Sequence, residues 1–69
     1  MSFNIPKEIK VQMLTERINS LNLEGYQHEL NLKSAEAIGN SEVIESSLAS
    51  IAVIKSAIEV HEKELADLA

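Results

Sequence analysis

The sequence predicts an all-α protein, a two-helix antiparallel hairpin that assembles into a homo-oligomeric helical bundle. Three observations carry this. Apolar residues recur at three- and four-residue spacing through two long stretches. One turn signal, Gly39-Asn40-Ser41, separates them. Opposed faces of both stretches are apolar or small, and a lone hairpin cannot cover both. At 69 residues the chain has room for one domain spanning 1–69, and a chain of that length buries a small fraction of its surface. Small proteins offset that deficit with disulfides, a structural metal or self-association. With no Cys and only two distant His residues, His28 and His61, no disulfide, metal or cofactor is expected, and self-association remains.

Helix 1 is expected over about 6–38, the turn at 39–41 and helix 2 over about 42–68. Phe3 and Ile5 form a short arm before helix 1, with Asn4 as its N-cap and Pro6 in its first turn, where a missing N–H costs nothing. No further Pro follows before Ile38, and strong helix formers dominate. Val11, Leu14, Ile18 and Leu21 start a stripe whose frame continues through Gly25 and His28 to Leu32 and Ala35. Leu23, Tyr26, Leu30 and Ala37 fall on nearly the opposite side. A continuous helix buried on two sides is the expectation, with a kink at Gly25 as the alternative.

Gly39 supplies a left-handed residue to end helix 1, and Asn40-Ser41 caps helix 2, where Glu42 and Glu45 suit the positive dipole end. Helix 2 presents Ile44, Leu48, Ile51, Ile54, Ile58, His61, Leu65 and Leu68 as the seam toward helix 1. Its back, Ser46, Ala49, Val53, Ser56 and Val60, lacks the charges of a solvated face and reads as a second interface. Two helices of roughly 30 residues would each be about 40–50 Å long. Pairs supporting the helices are Glu29 with Lys33 and Glu59 with Lys63, acid first at i,i+4.

Composition narrows function. Eleven acidic residues against six scattered basic ones disfavour DNA or RNA as partner. The longest apolar run, Ile51 to Ile54, is far too short to span a membrane, and the first residues lack an export signal, so a cytoplasmic location is expected. Catalysis has little basis: there is no Cys nucleophile, no HExxH or ExxH motif and no glycine-rich phosphate loop, so no enzyme is expected.

Four side chains are the candidate ligand-binding residues. Arg17, the only Arg, shares a side of helix 1 with Lys10 and His28 and offers a bidentate fork to a phosphate; otherwise it belongs to a solvated flank. Tyr26 and Lys33, seven residues apart and beside Asn22 and Glu29, present a ring and an ammonium on one face next to Gly25. The plainer reading of Tyr26 is an interface residue. Lys55 lies in line with Ile44, Leu48, Ile51 and Ile58, to meet an anion between subunits or to snorkel and pair with Glu59 or Glu62. His28 and His61, both at seam positions, could face each other across the hairpin or an oligomer interface, as a metal or pH-sensitive pair, and the plainer reading is a hydrogen-bonded interior histidine.

The stretch from Leu23 to Leu65, LEGYQHELNLKSAEAIGNSE followed by an Ile- and Ala-rich helix, resembles the short helical-hairpin proteins of bacteriophages. The resemblance lies in the hairpin pattern, and no binding motif aligns residue by residue. Some of these phage proteins are oligomeric sponges of the anti-CBASS and anti-Thoeris kind, which sequester nucleotide immune signals between hairpins without breaking a bond. The resemblance implies a phage-encoded, non-enzymatic oligomer in the host cytoplasm that holds a small anionic nucleotide-type signal. The rival is a helical scaffold or adaptor that docks another protein through an apolar face.

Overall fold

The computed structural model describes residues 3–69, in which α1 (Lys7–Ile38) and α2 (Ser41–Leu68) pack antiparallel against each other. Pro6 sets where α1 begins. Its φ of −55° and ψ of 144° hold the chain extended, and its carbonyl then accepts from the N–H groups of Ile9 and Lys10, both at 3.1 Å. A residue before proline is also pushed out of helical geometry, which keeps Ile5 outside. Asn4 therefore does not cap α1, contrary to the sequence expectation. No side chain caps this helix, and Asn4 instead sits inside a three-residue turn closed by the Ile5 N–H on the Phe3 carbonyl at 3.0 Å.

The other end follows the expected chemistry. Gly39 takes φ 71° and ψ 31°, the left-handed conformation that a missing Cβ permits. Its N–H donates to the Glu36 carbonyl at 3.3 Å, and the Asn40 N–H donates to Ala35 at 2.9 Å, the paired bonds of a Schellman ending. Asn40 then turns from terminator to cap: its side-chain oxygen accepts from the Val43 N–H at 3.3 Å. Ser41, expected in the turn, is already the first residue of α2.

α1 runs unbroken through Gly25, so the helix does not break there. A Cβ there would meet Ile54 Cγ2 at 3.5 Å, ordinary van der Waals contact. Val11, Leu14, Ile18, Leu21, Gly25, His28, Leu32 and Ala35 are the residues α1 turns inward, as the stripe predicts, with Leu21 and Ala35 fully in the core.

The seam of α2 departs from expectation at one position. Leu48 is 52% exposed, and the neighbouring Ser47 is buried in its place, with Ser50 and Ala57 also turned partly inward. Counting large apolar residues finds the bulky stripe, but two helices in close contact place small side chains where their axes approach and displace bulk to the flank. The face directed at α1 is thus a mixture of Ser47, Ser50 and Ala57 with Ile44, Ile51, Ile54, Ile58, His61, Leu65 and Leu68.

The molecule measures 49 × 20 × 16 Å, with a radius of gyration of 15.6 Å, against about 11 Å for a compact chain of this length. Its accessible surface is 5412 Å², where a compact protein of the same mass exposes about 4300 Å². No large side chain of the described residues is fully buried. On the outer faces, Leu23, Tyr26 and Leu30 of α1 and Val53 and Val60 of α2 are all exposed. Among the described residues, no helix is long and apolar enough to cross a membrane.

Candidate functional site

The four candidate residues do not converge. Tyr26 and Lys55 do: they reach from opposite helices into one groove of about 390 Å³, lined by Asn22, Gly25, Glu29, Leu32, Leu48, Ile51 and Ile58 as well. Helical spacing explains the meeting. In an antiparallel hairpin that turns at Gly39, positions near 25 on α1 lie beside positions near 54 on α2, as the Gly25–Ile54 approach shows. Gly25 is part of the lining and adds no side chain to it. Leu48, displaced from the seam, becomes part of this wall.

The groove suits a flat ligand more than a highly charged one. Leu32, Leu48, Ile51 and Ile58 are apolar, the Tyr26 ring is 59% exposed, and Asn22 offers both a donor and an acceptor. The lining holds one ammonium, Lys55, and one carboxylate, Glu29, so its formal charges cancel. Lys55 is exposed, in keeping with a long stem lying along the apolar wall and a head in solvent.

Arg17 belongs to a different groove, at the open end of the hairpin. That space, about 530 Å³, is lined by Phe3, Ile5, Lys10, Met13, Leu14, His61, Glu64 and Leu68 together with Arg17. Nine residues of helix, about 13 Å, separate Arg17 from Tyr26. Arg17 and Lys10, on one side of α1, both line this groove, while His28, about three turns further along the same side, lines another. Phe3 and Ile5 were the missed members: only the turn of the arm at Asn4 brings them beside α1. Lys33 is exposed and lines neither groove.

The two histidines do not face each other across the hairpin. His61 sits in the open-end groove, where its Nδ1–H donates to the Ala57 carbonyl at 2.6 Å. His28 lines a separate groove with Glu24, Ala49, Ser50, Val53 and Ile54. Antiparallel pairing puts His28 beside the middle of α2 and His61 beside the first half of α1, so the separation follows from register. No group of three or more metal-ligating side chains occurs among the described residues.

Comparison with known protein families, curated proteins and solved structures found no match to this chain.

Proposed function

We propose that the chain is a non-enzymatic, homo-oligomeric binding protein that holds a small phosphate-bearing nucleotide in a pocket between subunits, in the manner of the phage sponges its hairpin resembles. The observation that carries this is the shared groove of Tyr26 and Lys55, a stacking ring and a cation from two helices above Gly25. A base stacks on the exposed ring, the Lys55 ammonium holds a phosphate, and the apolar wall excludes water from the base. Because Glu29 cancels Lys55 within one chain, further cations come from neighbouring copies, with Arg17 as the available donor. Symmetry multiplies a few cations into a local positive field even in a chain of net charge −5.

The test is a panel of cyclic and ADP-ribose-type nucleotides in thermal melts. One compound is expected to raise the melting temperature and to come back intact after denaturation. Arg17→Ala and Lys55→Ala together abolish the shift while the oligomer persists. No shift with any nucleotide rejects the sponge, and a hydrolysed ligand makes the protein an enzyme.

A second reading, a scaffold that docks another protein, is favoured by the outer face of α2. Val53 and Val60 are exposed within a stretch of that face, Ser46 to Val60, that carries no charge on its midline. Titration with nucleotides leaves a scaffold unaffected, whereas Val53→Glu disrupts it.

A further inference from the structure

The outer face of α1 carries an ordered pattern that the hairpin does not use. Glu16, Asn19, Leu23, Tyr26, Leu30, Lys33 and Ala37 follow alternating three- and four-residue steps, a heptad frame with its apolar centre at Leu23, Tyr26 and Leu30. These three side chains are 73%, 59% and 45% exposed. An acid, Glu16, stands at one end of the frame and a base, Lys33, at the other.

We propose that this face is the interface between two copies of the chain, with the two α1 helices packed antiparallel. Three arguments select the occupant and its direction. The first is area. Each chain exposes about 1100 Å² more than a compact protein of its mass, and the large apolar side chains of Leu23, Tyr26 and Leu30 on one helix face are part of that exposed surface, which a second copy would cover.

The second is charge. In the antiparallel register that sets Leu23 against the partner's Tyr26, the same offset sets Glu16 against the partner's Lys33, and two-fold symmetry repeats both contacts. A parallel pair would instead set Glu16 on Glu16 and Lys33 on Lys33. Like charges directly opposed destabilise, and opposite charges fix direction.

The third is the contrast with α2. Its outer face has Glu42 and Glu45 at one end and Lys63 with Glu64 and Asp67 at the other. Both ends are net acidic, so self-pairing in either direction opposes acid to acid.

The inference deepens the assembly on which the proposed function rests. Tyr26 lies both on the heptad face and on the rim of the Lys55 groove. A partner helix seated on Leu23 and Leu30 walls the open side of that groove and makes it a pocket between subunits.

The chain has no cysteine, so introduced thiols are unique reporters. Glu16→Cys and Lys33→Cys chains are made separately, mixed, refolded together and oxidised without any ligand. The 17 residues between these positions span about 25 Å of helix, so only an antiparallel pair brings unlike thiols together while holding like thiols apart. The expected product is the mixed disulfide dimer, with neither variant linking to itself. Self-linking of Glu16→Cys or of Lys33→Cys would mean parallel helices and overturn the proposal. An oligomer that links in no combination pairs through another face, which also overturns it. A swap checks the same contact without thiols: Glu16→Lys weakens self-association several-fold, and adding Lys33→Glu restores it. Because no nucleotide is involved, a linked dimer that fails every melt in the ligand panel rejects the sponge and leaves this interface standing.

Discussion

At Gly39, φ is 71°, and a β-branched residue there meets its own backbone. Gly39→Val is expected to cost at least about 1 kcal/mol, read as a lower denaturation midpoint at unchanged slope. Gly25 has an ordinary helical backbone, and a methyl at that position reaches Ile54 Cγ2 at an unstrained 3.5 Å. Gly25→Ala should therefore stabilise the protein by up to about 1 kcal/mol, through helix propensity alone. A loss of stability would mean that a neighbouring copy or a ligand needs the open space. Both glycines stood out in the sequence as departures from helix-forming composition. Only Gly39 came with a cap signal, Asn40-Ser41, and only Gly39 proved conformationally special.

The scale of the element shows what periodicity can and cannot specify. In α1 the frame from Val11 to Ala35 passes through Gly25 and His28 and still identifies the buried face, because a three- and four-residue rhythm depends on helix geometry and not on the size of each side chain. In α2 the same reasoning placed Leu48 inward. Ser47 is buried instead, because the closeness of the helix axes decides which of two adjacent side chains fits, and that distance is a property of the pair. Ser47→Leu should accordingly destabilise by about 1–3 kcal/mol through overpacking, whereas a true surface serine would tolerate the change within about 0.5 kcal/mol. Thermal unfolding of Ser47→Leu beside Ser46→Leu separates the two positions directly. At the hairpin turn, Asn40→Ala removes the oxygen that accepts from Val43 and should cost about 1 kcal/mol. The N-terminal start was misread for a similar reason: Asn is a good cap in isolation, but Pro6 two residues later holds the chain extended and moves the helix past it.

Over the whole molecule, the candidate site was half legible. Tyr26 and Lys55 were named from faces of separate helices, and antiparallel register brings them together; the same register carries Arg17 to the open end and leaves Lys33 outside both grooves. Residue type identifies which side chains can meet an anion, while convergence depends on where the chain turns and on contacts outside one chain. A 49 Å rod with two apolar outer faces has much exposed surface and no large side chain fully buried among the described residues, and on that basis we propose that folding is coupled to assembly. In that account, unfolding is bimolecular or higher, and the melting temperature rises with protein concentration. The most direct measurement is the mass of the folded protein by sedimentation equilibrium across a range of micromolar concentrations, with helical content followed on the same samples. The account predicts a species at a multiple of 7.6 kDa that loses helix as dilution dissociates it. A particle of 7.6 kDa that stays fully helical and melts cooperatively at every concentration would contradict it.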